Sequence, residues 1–221
     1  MDKKEIEFEF ERATKNNLQV SEESAFMNNF MVVNIAWNHS GWKRLEPNPK
    51  INFGFVKDVK KAALSPHEAL NFDFDKENID SSETVYGYFQ TRGTPRKFED
   101  HGLIFFYSQS TDDKKGYIIG VYGNASIIEP RKVFDFRGLD NGKFLSNIMG
   151  KKELSALFPH YLLYTDYWNS GKRLIFRSNF TYNISSKIAI QILNDELKAC
   201  GQNDSALNAK LVNILNYTKN L

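Results

Sequence analysis

The stretch that most constrains the fold is residues 102–128, GLIFFYSQSTDDKKGYIIGVYGNASII. Residues 103–108 and 117–122 are two runs of β-branched and aromatic residues, and a polar segment that ends in Gly116 separates them. This pattern predicts a β-hairpin with a loop of more than two residues. Because both runs are apolar with little polar alternation, we expect strands that are covered on both faces or curled into a small barrel.

Further strands are predicted at residues 30–36 and 85–91, and residues 132–137 add one more. Gly120 and Gly123 lie inside or just after the second hairpin strand. Glycines at such positions indicate either a simple bend or a bulge where another backbone or a ligand approaches closely. We therefore predict a sheet of five or six strands, to which residues 132–137 add one more.

The later part of the sequence changes to helical spacing. Residues 146–158 predict a helix that Pro159 stops, and residues 185–200 predict an amphipathic helix that Gly201 ends. A second C-terminal helix begins near Asp204. We therefore predict an α+β fold with three parts: residues 1–29 as a tail or edge segment, residues 30–183 as the main domain, and residues 184–221 as a helical pair. That pair packs on the domain or leads to a downstream region.

Composition narrows the class of protein. The single cysteine, Cys200, excludes a disulfide framework, and no Cys/His spacing suggests zinc, so no metal or cofactor is expected and the cytoplasm is the expected location. No apolar run reaches the roughly 18 residues that a membrane span needs, and the start has no signal-peptide core. The net charge is only +2, so any nucleic-acid surface must be a local patch.

Catalytic signatures are lacking in the sequence. It has no glycine-rich phosphate loop, no GxSxG and no HExxH. His67 and Glu68 could act as an acid/base pair, but adjacent residues point in different directions, so a structural role is the preferred interpretation. The sequence favours binding over catalysis.

Aromatic residues in polar loops are the better lead. Two loops, WNHSGW after the first strand and YTDYWNSGKR before a late one, contain all three tryptophans. If the loops converge, they form a slot for a flipped or unpaired base, which stacks on aromatics with about 1–3 kcal/mol per base. The alternative is that each tryptophan only caps the core. The predicted base-binding residues are Trp37, Trp42, Trp168, Tyr167, Asn38 and Ser40.

Basic residues flank these loops in the sequence. Such clusters suit phosphates, which supply most of the affinity for nucleic acid, although each cluster alone is also typical of a solvated face. The predicted phosphate-binding residues are Arg92, Arg96, Lys97, Lys172 and Arg173.

The order NIAWNHSGW, PHEALNF, VYGYFQ, GLIFFYS and YIIGVYGNA resembles the EVE and YTH branch of the PUA-like fold. It is most similar to the N-terminal specificity domain of McrB-type modification-dependent restriction systems. The resemblance implies a small twisted β-barrel with flanking helices, in which an aromatic cage holds one modified base. It implies cage walls at Trp37, Trp42 and Trp168, with Tyr107 or Tyr167 as alternatives for the third wall.

The function implied by the resemblance is a non-catalytic DNA-binding module. Such a module recognises a methylated or otherwise modified base by base flipping and directs a restriction system, with a GTPase motor and a nuclease as partners, in antiviral defence. The alternatives are an RNA-binding reader with the same fold and, third, a nucleic-acid-acting enzyme that uses His67 and Glu68.

Overall fold

The computed structural model describes residues 29–44, 67–74, 82–91, 98–135, 143–167, 181–201 and 204–221. The strands are β1 (Phe30–Ile35), β2 (Thr84–Gly87), β3 (Gly102–Gln109), β4 (Gly116–Asp135), β5 (Lys143–Lys151), β6 (Ser155–Leu163) and β7 (Thr181–Asn183). The helices are α1 (Ser186–Cys200) and α2 (Ser205–Lys219), with short 3-10 turns at His67–Leu70, Lys152–Leu154 and Tyr164–Tyr167. Nearly all of the predicted N-terminal tail lies outside the described residues.

The seven strands form one mixed sheet in the order β2-β5-β4-β3-β1-β7, and β6 also pairs with β4. Strand β1 runs parallel to β3, whereas the other pairs are antiparallel. Over the described residues this path has two ends, β2 and β7, so the sheet is not closed into a barrel. The predicted α+β class is confirmed, but the closed barrel is not observed, because β4 pairs with three partners while β2 and β7 each have one.

Strand β4 joins the two halves of the sheet. Its residues 117–122 lie between β3 and β6, and its residues 126–127 and 132–135 pair with β5. The register passes from Phe106–Gly120 to Tyr107–Ile118, which leaves one residue of β4 unpaired in a bulge. A Cβ atom at Gly120 would lie 2.6 Å from the backbone oxygen of Ala156, so another backbone approaches this glycine closely and the preferred interpretation as a simple bend is wrong.

Alternation along β3 produces two cores. Leu103, Phe105 and Tyr107 face the helices, and Ile104 and Phe106 face the opposite side. All five side chains are buried. The apolar hairpin strands are therefore covered on both faces, as their pattern predicts.

Helices α1 and α2 confirm the prediction for the C-terminal part. The side chains of Ser185 and Asp204 accept hydrogen bonds from the first turns, at the backbone nitrogens of Ile188 (3.4 Å) and Leu207 (2.9 Å). In the described part of the chain, neither helix has the length and apolar character needed to cross a bilayer.

The predicted helix over residues 146–158 is wrong. Those residues form the end of β5, a 3-10 turn and the start of β6. Pro159 does not stop a helix. It lies in β6 between Leu157 and Leu162, where the pairing with β4 is irregular and a missing backbone N–H is tolerated.

Candidate binding site at the aromatic loop

The loop after β1, residues 36–44, is organised by Asn38. The Oδ1 atom of this buried side chain accepts hydrogen bonds from the backbone nitrogens of Ser40 (2.8 Å) and Trp42 (3.1 Å) and from the Ser40 hydroxyl (2.7 Å). Its Nδ2 atom donates to the backbone oxygen of Arg44 at 3.2 Å. Asn38 and Ser40 thus shape the loop internally, and their reading of a base edge stays a prediction.

Trp42 is a core residue. Its side chain is fully buried, and its Nε1 donates to the backbone oxygen of Ala36 at 2.9 Å. The backbone oxygen of Trp42 accepts a 2.9 Å hydrogen bond from the nitrogen of Phe72. The loop is therefore anchored to the core that lies opposite the helices, and Trp42 supports the site from beneath.

Trp37 packs against the buried Trp42 and is itself half-buried. Its ring centroid is 5.4 Å from that of Trp42 and 5.7 Å from that of Tyr161, in nearly perpendicular contacts, and 6.1 Å from that of Tyr117. Tyr161 is 37% exposed. We call Trp37, Trp42, Tyr117 and Tyr161 the aromatic cluster.

The Nε1 atom of Trp37 is buried and has no hydrogen-bond partner among the described residues. Burying such a donor unpaired costs about 1–3 kcal/mol. Indole nitrogens in folded proteins usually find a partner. The donor of Trp37 is therefore a buried polar atom whose cost is offset by the packing of the indole in the aromatic cluster.

The β3–β4 loop forms the rim of the aromatic cluster. The ring of His39 contacts Trp37, and its Nε2 lies 3.3 Å from Oδ2 of Asp112. The hydroxyl of Tyr117 donates to the carboxylate of Asp113, and this hydrogen bond lowers the pKa of Asp113 below its usual range. The contact of His39 with Asp112 holds the hairpin loop against the aromatic loop, and the hydrogen bond from Tyr117 fixes the hairpin loop internally.

A buried carboxylate fixes the base of the loop. Glu68 accepts hydrogen bonds from the backbone nitrogens of Ala36 (2.7 Å, at Oε2) and Gln90 (3.1 Å, at Oε1). Burial raises the pKa of Glu68 to about 7, against the opposing effect of the two N–H donors. Glu68 thereby ties the residue before Trp37 to the segment after β2.

His67 has separate partners from its neighbour. Its Nδ1 accepts a 3.3 Å hydrogen bond from the backbone nitrogen of Leu145, and its ring packs against those of Tyr88 and Phe144. Burial lowers the pKa of His67, and the positive charge of Arg131 lowers it further. His67 and Glu68 therefore make separate contacts with different parts of the core, and the preferred structural role of the pair stays a prediction.

The structure does not bring Tyr107 and Tyr167 to the aromatic cluster. Both are buried on the helical side of the sheet, where Tyr107 packs against Tyr164 at a centroid distance of 4.9 Å. Burial raises the pKa of Tyr107 to about 12. The other predicted site residues lie outside the described residues: Trp168, Arg92, Arg96, Lys97, Lys172 and Arg173.

Sequence reasoning missed Tyr117, Tyr161 and His39. Tyr117 belongs to the predicted hairpin, but its side chain turns to the aromatic loop. Tyr161 follows the segment that was predicted as a helix, and only its true position in β6, next to β4, brings it to Trp37.

Comparison of the chain with protein-family models, with curated proteins and with solved structures finds no significant match. The resemblance to EVE and YTH domains therefore stays a prediction.

Proposed function

We propose that this chain binds DNA that carries a methylated or otherwise modified base, and that it receives the base, flipped out of the duplex, at the aromatic cluster. One observation carries the proposal. The half-exposed indole of Trp37 is held by Trp42, Tyr117 and Tyr161, and it keeps a buried N–H without a partner among the described residues.

The energetics suit a flipped base. Extruding a base costs a few kcal/mol. Stacking on the exposed part of the aromatic cluster returns about 1–3 kcal/mol per base. Because the loop is already fixed by Asn38 and Glu68, little ordering is needed on binding.

The exposed positive charge next to the loop suits the phosphates. Lys43 and Arg44 follow Trp42 and are both exposed. On the neighbouring β3–β4 loop, Asp112 lies next to His39 and Asp113 accepts a hydrogen bond from Tyr117, so both carboxylates already have partners. The basic residues predicted from the sequence at positions 92–97 and 172–173 complete the proposed phosphate surface.

We further propose that the fold is the EVE and YTH type of PUA-like domain. It is supported by the tryptophan-bearing loop directly after β1 and by the β3–β4 hairpin beside it. In this setting the chain is a non-catalytic specificity module that directs a restriction system with a motor and a nuclease. Trp168 is the proposed third wall.

Fluorescence anisotropy tests the proposal. Labelled duplexes without modification, with N6-methyladenine and with 5-methylcytosine are compared with RNA of matched sequence. We expect tighter binding to one modified DNA, and loss of that preference in Trp37→Ala. The control is Tyr182→Ala, because Tyr182 is an exposed aromatic residue (40%) that lies on β7 outside the aromatic cluster.

The outcomes distinguish a DNA-binding module from an RNA-binding module and from an enzyme. Preference for the RNA would replace the DNA reader by an RNA reader. Equal affinity for modified and plain duplexes would contradict base reading. Incubation of the protein with methylated plasmid and magnesium should leave the plasmid intact, and reproducible nicking would make the chain an enzyme.

A further inference from the structure

A second side-chain cluster lies between β6 and α1, on the helical side of the sheet. It consists of His160 from β6 and of Glu196 and Cys200 from α1, and we call it the His160 cluster. Glu196 and Cys200 are four residues apart and so share one face of the helix. Both are buried, whereas the His160 side chain is 52% exposed and connects the cluster to solvent.

The three potential ligand atoms form a compact triangle. Sγ of Cys200 is 3.4 Å from Oε1 of Glu196 and 3.8 Å from Nδ1 of His160, and Nδ1 is 3.6 Å from Oε1. Atoms that bind one zinc ion tetrahedrally, at about 2.0–2.3 Å, are separated by about 3.4–3.6 Å. A circle through the three atoms has a radius of about 2.1 Å, close to a zinc–ligand bond length.

The carboxylate of Glu196 lacks a full complement of partners. The backbone nitrogen of His160, its ring and the thiol of Cys200 all converge on Oε1, while Oε2 is buried without a hydrogen-bond partner in the described part of the chain. No lysine or arginine among the described residues forms an ion pair with Glu196. A buried carboxylate is normally neutralised by a paired charge or a metal ion.

A nucleophilic triad fits these atoms less well. In such a triad the histidine uses one ring nitrogen for the nucleophile and the other for the orienting carboxylate. Here both Cys200 and Glu196 lie next to the same atom, Nδ1 of His160. Two partners at one nitrogen are expected when a cation replaces the proton between them.

We propose that the His160 cluster binds a divalent transition-metal ion, with zinc as the best match. Thiolate and imidazole ligands favour zinc over magnesium or calcium, which prefer oxygen. Binding replaces the thiol proton of Cys200, which is released to solvent. The ion would have three ligands from the described residues and a fourth position on the side of His160, and it would fasten the end of α1 to β6.

Cobalt titration tests this site directly. The full chain, treated with a chelator and a reductant, is titrated with Co²⁺, which reports a thiolate ligand through a charge-transfer absorption. We expect one equivalent to bind with that absorption, Zn²⁺ to displace it, and Zn²⁺ to raise the melting temperature. Cys200→Ser should abolish the charge-transfer absorption, because a hydroxyl replaces the thiolate.

His160→Ala and Glu196→Gln each remove one ligand. Both should weaken binding by more than the roughly 10–100-fold that the loss of an outer-shell partner causes. His101→Asn is the matched control, because this histidine lies outside the cluster and has a positive φ of 70° that asparagine tolerates. Its affinity for Co²⁺ should be unchanged.

Circular dichroism shows whether each variant is folded. If Glu196→Gln does not fold, His160→Ala and Cys200→Ser still show whether the His160 cluster binds the ion, because His160 is exposed and serine has nearly the same shape as cysteine. Absence of the charge-transfer absorption in the native chain overturns the proposal. So does a stabilisation by Zn²⁺ that is equal in the native chain and in both variants.

Discussion

Oε2 of Glu68 lies 2.7 Å from the backbone nitrogen of Ala36, the residue that precedes Trp37. This hydrogen bond links a titratable buried group to the position of the aromatic cluster. The pKa of Glu68 is about 7, above its ordinary value of 4.5, so the folded state binds a proton at this carboxylate more tightly than the unfolded state does. The contribution of Glu68 to the free energy of unfolding is fully present below pH 4.5 and is lost as the pH rises through about 7.

The first prediction concerns pH. Between pH 4.5 and 7 the free energy of unfolding should lose up to about 3 kcal/mol through Glu68. Urea denaturation at a series of pH values measures this loss. In Glu68→Gln the decline should be smaller by that amount. Glu153→Gln is the control, because Glu153 is exposed, and a decline that Glu68→Gln leaves unchanged would assign the pH dependence to another group.

The second prediction separates the two described tryptophans. Trp42 is fully buried and hydrogen-bonded, so Trp42→Ala should lower the free energy of unfolding by about 3–5 kcal/mol. Trp37 is half-buried, and its Nε1 has no partner within the described ranges, so Trp37→Ala should cost about 1–3 kcal/mol. Denaturant melts of both variants measure the difference. Equal losses would show that Trp37 is as much a core residue as Trp42.

The third prediction tests the bulge of β4. A Cβ at Gly120 would lie 2.5 Å from Cζ of Phe72 and 2.6 Å from the backbone oxygen of Ala156, so Gly120→Ala should destabilise the fold by about 1–3 kcal/mol. Adding Phe72→Leu removes only the first of these contacts. A double-mutant cycle should therefore show partial compensation. Full compensation would mean that β6 moves freely at this point.

The fourth prediction concerns phosphate contacts. Each contact contributes about −0.9 to the slope of log affinity against log salt concentration. The double variant Lys43→Ala, Arg44→Ala should flatten that slope by an amount that corresponds to the loss of up to two phosphate contacts. The double variant Arg96→Ala, Lys97→Ala should have the same effect. Lys187→Ala with Lys198→Ala on α1 is the matched control, since both lysines lie on a different element from the aromatic loop. A slope that neither double variant changes would place the DNA elsewhere.

Local signals predicted much of the fold. The turn ahead of Gly116 and the apolar runs on each side predicted the β3–β4 hairpin, and the spacing in residues 185–200 predicted α1. The same spacing misled at residues 146–158, because Ile148, Met149, Leu154 and Leu157 fit a helical period as well as a broken strand pair. Pro159 strengthened the error, since proline ends helices and also occupies irregular strand positions.

The composition of the aromatic cluster could be predicted only in part. Trp37 and Trp42 are close in the sequence, and their meeting follows from one loop. Tyr161 reaches Trp37 only because β4 lies between β3 and β6, which is a long-range arrangement that local patterns do not specify. Tyr107 is an alternative third wall in the cage that the resemblance implies, but strand alternation turns it to the other face of the sheet.

The position of β1 between β3 and β7 also affects biosynthesis. Both neighbours of β1 come later in the chain, and β7 begins only at Thr181. While the protein is being synthesised, β1 therefore emerges with both edges unpaired, and Trp37 emerges before Tyr117 and Tyr161 can cover it. An apolar strand with open edges promotes aggregation of nascent chains. Fragments that end before β7 should therefore need a chaperone to stay dispersed, even though they contain the complete aromatic cluster.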